Sequence, residues 1–239
     1  MIDFLTDLDT KILLFFNSLN APFFDYFMMT FTGKFIWIPM YIAVIYIIYR
    51  RFGWKVATCY TLAIPIAILL ADQICASAIR PWVERLRPTN INNPINTMLH
   101  IVDGYRGGRY GFPSCHASNS FALAIFLTFL FNNRRFTIFI LTWAIINSYS
   151  RLYLGVHYPG DLLVGAIIGG SIGYLCYFCA NKIAKLIATP IDDNKQRFYS
   201  QITIGSNAIE YRLSDVMIIV GMLIATSITL YSLISLFIN

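Results

Sequence analysis

Three short polar clusters hold nearly all the groups in this chain that could transfer a phosphoryl group, and each stands at the mouth of a long apolar run. The first, 80–88, places Arg80 seven residues before Arg87, with Arg85 between them and Pro88 after. Arginine offers a planar fork of donors that matches phosphate oxygens, although arginines at a helix end also serve as membrane-edge anchors. The second cluster, 113–116, reads Pro113, Ser114, Cys115, His116 just ahead of a helix. Ser114 is a good N-cap, and the unpaired first-turn amides of Cys115 and His116 point where a dianion would be held. Plain capping beside a chance histidine is the simpler alternative, yet only three histidines occur in the chain and two of them fall in these clusters. The third, 150–161, separates Ser150 and Arg151 from His157 by five residues and His157 from Asp161 by three. Pro159 marks the helix start there. A carboxylate four residues from a histidine can fix its tautomer and leave the other ring nitrogen free to attack; the alternative is a structural His–Asp pair at a helix entrance.

The elements that must position these groups are membrane helices. With 57% hydrophobic and 13% charged residues and a mean hydropathy of +0.62, the chain lies far from the mix of a soluble domain. A bilayer core of about 30 Å needs roughly 20 apolar residues as helix. Six runs meet or approach that length: 34–49, 56–79, 117–131, 136–153, 160–181 and 213–238. The expected fold is therefore all-α, a polytopic membrane bundle of about six transmembrane helices. In the N-terminal segment 1–32, Leu5, Leu8, Ile12, Phe15, Phe16 and Leu19 recur at helical spacing among Asp3, Asp7, Asp9 and Lys11, the pattern of an amphipathic helix lying in the interface. A second short helix follows Pro22. The segment has no basic n-region and no small-residue cleavage site, so a removed signal peptide is not expected. The organisation reads as this interfacial segment, a catalytic membrane core at 33–181, a cytoplasmic polar linker at 182–212 and a C-terminal span at 213–239.

Counting spans puts all three clusters at one face. The opposite face carries ten of the 18 Lys and Arg residues, Arg50, Arg51, Lys55, Arg134, Arg135, Lys182, Lys185, Lys195, Arg197 and Arg212. By the positive-inside tendency that face is cytoplasmic and the clusters look outward, from the inner membrane towards the periplasm or exterior. The net charge of +6 is spread over membrane-flanking loops, which fits anionic lipid headgroups and gives no nucleic-acid surface. Of five cysteines, Cys59, Cys75, Cys176 and Cys179 fall within spans as small hydrophobes. Cys176 and Cys179 have redox-motif spacing but lie in an apolar helix body. A cysteine-dependent phosphatase would need arginine six residues after Cys115, where Phe121 stands.

Other features read as structural. Gly165, Gly169 and Gly173 recur every fourth residue, which favours close helix contact in lipid. The run 104–111 is rich in glycine but lacks the Lys-Ser/Thr of a P-loop, and reads as a flexible outer loop whose Arg106 and Arg109 could touch a second anionic group. Arg85 is a further candidate for that role. His100 in the same loop has no evident partner and is expected at the surface. Asp72 and Gln73 are the strongly polar pair deep in a span; Asp72 is expected to bond a neighbouring helix, and Pro65 could kink that span. A transporter is the alternative such intramembrane charge raises, but the charges gather at one face and form no path to the midplane. A non-catalytic lipid-binding protein is the other.

Taken together, the clusters resemble the three-part signature of the type 2 phosphatidic acid phosphatase (PAP2) superfamily of integral-membrane lipid phosphatases. The basic residue, six positions and Arg-Pro appear as Arg80, Arg87 and Pro88; Pro-Ser-Gly-His as Pro113, Ser114, Cys115 and His116; and the last part as Ser150, Arg151, His157 and Asp161. Arg80 stands where lysine is usual and Cys115 where glycine is usual. The resemblance implies a metal-independent, cofactor-free hydrolysis of a lipid phosphate in two steps. His157 would attack phosphorus to give a phosphohistidine, oriented by Asp161. His116 would protonate the leaving oxygen and then activate water. Arg80, Arg87, Arg151, Ser114 and the amides of Cys115 and His116 would hold the phosphoryl oxygens. The substrates it implies are polyprenyl (undecaprenyl) diphosphate, a phosphate of lipid A, or phosphatidylglycerol phosphate. The polar loop 90–111 has room for a sugar headgroup and favours the first two.

Overall fold

The computed structural model describes residues 2–188, 201–204 and 209–238. The chain runs through α1 (Ile2–Ser18), α2 (Pro22–Phe31), α3 (Ile38–Gln73), a π-helical turn (Ile74–Ile79), α4 (Arg80–Val83), α5 (Cys115–Phe131), α6 (Arg134–Tyr153), α7 (Pro159–Ile187) and α8 (Leu213–Ile238). Between α7 and α8, β1 (Gln201–Ile204) pairs antiparallel with β2 (Ile209–Arg212), Gln201 facing Arg212 and Ile204 facing Ile209. That ribbon lies in the stretch read as a polar linker. Lys195 and Arg197 of the same stretch lie outside the described residues, as do the side chains of Arg212 and Asp3.

The expected break between the first two spans is a reversal inside α3. Gly53 takes φ 71°, ψ 161°, a conformation open to glycine because it has no Cβ. Tyr49 and Thr58 would lie about 13 Å apart along a continuous helix, yet their hydroxyls are 3.0 Å apart. The arms 38–52 and 54–73 therefore form a helical hairpin, and the second arm continues through the π-helical turn to Val83. Arg80 is thus the first residue of a last helical turn, where the sequence reading placed it after the span. Pro65 sits inside this arm, and the helical dihedrals break only at Gly53.

With the two arms of α3, α5, α6, α7 and α8, six apolar helical segments build the bundle. Among the described residues, three stretches are long and apolar enough to cross a membrane, Phe35–Val83, Pro159–Ile187 and Asp215–Ile238, with Cys115–Phe131 a shorter apolar helix. Large side chains such as Leu62, Leu69, Leu163, Ile167, Met222 and Leu223 point outward, which a bilayer solvates and water would penalise. Inside, α5 buries ten of its residues, from Ala117 and Ser118 to Leu130 and Phe131, and exposes Phe129, so it is the central helix. Its contact with α7 is backbone-close. A Cβ placed on Gly165, Gly169 or Gly173 would stand 2.4, 1.9 or 2.3 Å from the carbonyl oxygens of Ser114, Ser118 and Ala122. The four-residue glycine period is therefore a helix seam, as small residues permit in lipid.

The N-terminal helices sit at the face that carries the clusters. Asn17 of α1 is buried, and its amide donates to the carbonyl oxygens of Tyr153 at 2.7 Å and His100 at 3.0 Å. Leu13 packs with Leu152 and Tyr158. Phe4, Leu5, Leu8, Phe15 and Leu19 stay exposed, so the apolar stripe is the outer face of α1 and a mixed face binds the protein. His100 corrects its expectation of free exposure: half-buried, its Nε2 lies 3.0 Å from both carboxylate oxygens of Asp25 on α2.

Candidate active site

Each cluster is set at a helix end by local chemistry. Ser114 is fully buried, and its hydroxyl oxygen accepts from the Ala117 amide at 3.4 Å, capping α5. The cap uses a lone pair of that oxygen and leaves the O–H, which the sequence reading assigned to phosphate, as a donor. After α6, Gly155 at φ 68° lets the chain turn, and His157 is delivered in the short loop before α7. Pro159 opens α7 and Asp161 follows in its first turn, accepting from the Tyr158 amide at 3.1 Å.

Direct contacts then join the three clusters. The Ser114 amide donates to the Asp161 carbonyl at 3.0 Å. Arg80 Nη2 donates to the Pro113 carbonyl at 3.0 Å and to Cys115 Sγ at 2.9 Å, so the residue replacing the usual glycine pins this guanidinium. Arg87 donates from Nε to the Tyr110 carbonyl at 3.1 Å, and from Nη1 to the Val156 carbonyl at 3.2 Å and His157 Nε2 at 2.8 Å. Guanidinium has no acceptor, so His157 Nε2 must be the bare nitrogen. The ring proton is on Nδ1, which donates to Asp161 Oδ2 at 3.2 Å. His157 and Asp161 are 1% and 0% exposed. The structure thus gives the tautomer a nucleophilic histidine requires, with its lone pair held by a phosphate-type ligand.

The electrostatics favour an anion. Arg80, Arg87 and Arg151 surround His157, and burial together with their charges holds its pKa well below the ordinary 6.5. His116, in the first turn ahead of the 117–131 span, is lowered to about 2 by burial and then by Arg151, His157, Lys34 and Arg87. Burial, then Arg151 and Arg80, brings Arg87 down to about 10. Arg151 donates to Tyr105 Oη at 2.9 Å and Thr32 Oγ1 at 3.1 Å. Yet among the described residues the Nε atoms of both Arg80 and Arg151 are buried with no partner. Buried donors on buried cations are costly unless an acceptor completes them. A tetrahedral dianion would supply it.

The remaining arginines make contacts of their own. Arg85, expected as a headgroup ligand, also braces the site: Nη1 meets Asp161 Oδ1 at 3.0 Å and Nη2 meets Asp9 Oδ2 at 2.7 Å, with Tyr158 beneath the guanidinium at 3.8 Å. Arg106 is likewise committed, donating to the Thr89 carbonyl at 2.5 Å and to Asn96 Oδ1. Arg109 lies over the Tyr110 ring at 5.1 Å and its side chain stays exposed. The 104–111 loop does lie over the site, since a Cβ on Gly107 would stand 2.7 Å from Arg87 Cδ and one on Gly111 3.1 Å from Asp161 Oδ2. Sequence reasoning missed Asp9. It accepts from Arg85 and from the Gly160 amide at 2.7 Å, and only its place among the acidic residues of α1 hinted at it. Lys34 was also missed; it lines the same cavity as Arg80 and His116.

Known proteins resemble this chain over most of its length. The chain is 51% identical to the lipid A 4'-phosphatase of Bacteroides thetaiotaomicron, over 98% of this chain and 99% of that one. It is 30% identical to the lipid A 4'-phosphatase of Porphyromonas gingivalis, over 74% of each chain. The fold matches the crystal structure of the first transmembrane PAP2 type phosphatidylglycerolphosphate phosphatase from Bacillus subtilis with a TM-score of 0.52 at 21% identity, over 77% of this chain and 88% of that one. The PAP2 superfamily model matches residues 60–185, a stretch that contains Arg80, His116, His157 and Asp161 together, and the chain belongs to the PAP2 superfamily.

Proposed function

We propose that this protein is a membrane phosphatase that removes a phosphate monoester from a lipid A-type glycolipid, at the outer face of the inner membrane, through a phosphohistidine. The observation that carries the reading is the convergence of three arginines on a neutral His157, two of them with buried Nε atoms that lack acceptors. The relatives named as lipid A 4'-phosphatases favour the glycolipid over the polyprenyl diphosphate.

In this reading the substrate phosphate displaces Nε2 from Arg87 and draws the donors of Arg80, Arg87 and Arg151 onto its oxygens. His157 Nε2 attacks phosphorus while Nδ1–H stays on Asp161, which offsets the charge the ring gains. Arg85 and the Tyr158 amide keep Asp161 in place. Burial is the first cause that keeps His116 deprotonated and the positive field the second; the dianion offsets that field, which favours His116 carrying the proton it gives to the leaving oxygen. In the second step His116 takes a proton from water, which attacks the phosphohistidine and releases inorganic phosphate.

The test is phosphate release by the purified protein from lipid A 4'-phosphate, undecaprenyl diphosphate and phosphatidylglycerol phosphate, beside the His157→Ala variant. The glycolipid is expected to turn over fastest, and the variant not at all. Preference for undecaprenyl diphosphate would overturn the substrate, and ordinary turnover by His157→Ala would overturn the nucleophile.

A further inference from the structure

A cavity of about 460 Å3 opens beneath His116, between the two arms of α3, α5 and α6, within the about 300–1,000 Å3 usual for ligand sites. Arg80, Cys115 and His116 form its upper wall, and neither His157 nor Asp161 lines it. In-line phosphoryl transfer puts nucleophile and leaving group on opposite sides of phosphorus. A space that touches the proposed acid but not the proposed nucleophile is therefore on the leaving-group side.

Its lining mixes apolar side chains, among them Tyr41, Ile68 and Leu123, with polar ones at the level of the helix bodies. Asp72, Asn119, Ser120, Trp143 and Asn147 all face it. Asn119 donates to Asp72 Oδ1 at 3.0 Å and Asn147 to Ser120 Oγ at 2.6 Å, so part of this polarity is internally paired. Two atoms are left over: the Trp143 indole Nε1 and Asn119 Oδ1 are buried without partners among the described residues. Trp143 itself is only 5% exposed. One orphan is a donor and the other an acceptor, and a group that both accepts and donates, as a hydroxyl or a secondary amide does, can complete the two. Hydrocarbon does neither. A second phosphate could accept from Trp143 but has no donor for Asn119, and it would meet the Asp72 carboxylate. At the rim Lys34 is exposed, and its charge is among those acting on His116. A cation there stabilises the oxyanion that forms as the leaving group departs.

We propose that this cavity seats the leaving group, and that its occupant is the hydroxyl- and amide-bearing sugar of the substrate, held by Trp143 Nε1 and Asn119 Oδ1. This rests on the phosphohistidine reading above and adds to it the residues that read the headgroup. The experiment compares kcat/KM for an acylated glucosamine 4-phosphate with that for phosphatidic acid of matched chain length, which carries the same monoester and no sugar. Wild type is measured beside Trp143→Phe, which keeps the ring and removes the N–H, and Asn119→Leu. Each variant is expected to lower the sugar-to-phosphatidate ratio by about fivefold to tenfold, as loss of one neutral hydrogen bond does. The dephosphorylated glucosamine lipid, as a competitive inhibitor, should lose affinity by the same factor. A ratio is indifferent to the fraction of enzyme that folds, so poor yield does not blur the result. If the ratio and the inhibition both stay within twofold of wild type, the cavity holds water or an acyl chain and the proposal falls. If wild type hydrolyses neither lipid, it is the phosphatase reading that fails.

Discussion

Replacing Gly169 with alanine tests whether the α5–α7 seam sets the geometry of the site from a distance. The new Cβ would stand 1.9 Å from the Ser118 carbonyl oxygen, 2.6 Å from its carbon and 2.7 Å from its Cα. All three are backbone atoms that no rotamer change can move. Real Cβ contacts essentially never fall under 3.0 Å, so the helices must part by about 1 Å, a displacement that can cost about 100-fold in rate even when it originates far from the chemistry. Ser118 lies within one turn of His116, and Gly169 two turns below Asp161, so the shift separates the proposed acid from the His157–Asp161 pair. Gly169→Ala is expected to lower kcat/KM for phosphate release about 100-fold while costing about 1–3 kcal/mol of stability as overpacking. Gly170→Ala is the internal control. Its Cβ would meet only Ile125 Cγ1 at 3.6 Å, and alanine is the better helix former by roughly 0.5–1 kcal/mol, so activity and thermal stability should hold or rise. The assay is steady-state phosphate release with a thermal melt of each variant in the same detergent. A folded Gly169→Ala protein within threefold of wild-type activity would refute the reasoning.

Three further outcomes follow from the contacts. His157 and His116 are both held below the 6.5 that histidine has in an unfolded chain, so unfolding takes up protons and stability falls as pH drops below about 6.5, by up to about 1.4 kcal/mol per pH unit for each histidine. Melts from pH 7.5 to 5 should show this loss, His116→Gln should reduce the slope, and a melting temperature that rises towards acid would contradict it. Asp9→Asn removes the charge that Arg85 shares between Asp9 and Asp161, and a charged hydrogen bond is worth about 1.5–3 kcal/mol; kcat should fall roughly tenfold or more with KM within twofold, whereas a change in KM alone would place Asp9 on the substrate. Arg106→Ala, which frees the Thr89 carbonyl and Asn96, should lower the melting temperature, while Arg109→Ala should leave it in place and change at most KM.

What could be read in advance was what local geometry fixes. His157 and Asp161, four residues apart across the start of α7, were expected as neighbours, and Ser114 before an apolar run already implied a cap. The same argument gave the glycine seam, because residues four apart share a face. Hydropathy gave the spans, and counting them gave one common face for the clusters. Asp72 was expected to bond a neighbouring helix, and it accepts from Asn119.

Only the tertiary structure decided who partners whom across long separations. Asp9 and Gly160 are 151 residues apart, and His100 and Asp25 are 75 apart; no periodicity encodes either. Arg85 and Arg87 share a cluster and a side-chain type, yet packing sends one to Asp9 and Asp161 as a buttress and the other to His157 Nε2. The tautomer of His157 and the orphaned donors of Arg80, Arg151 and Trp143 follow from the same fact. A sequence fixes which donors and acceptors exist and which lie within a turn of each other. Which of them remain unpaired in the interior is settled when helices distant in the chain close around them.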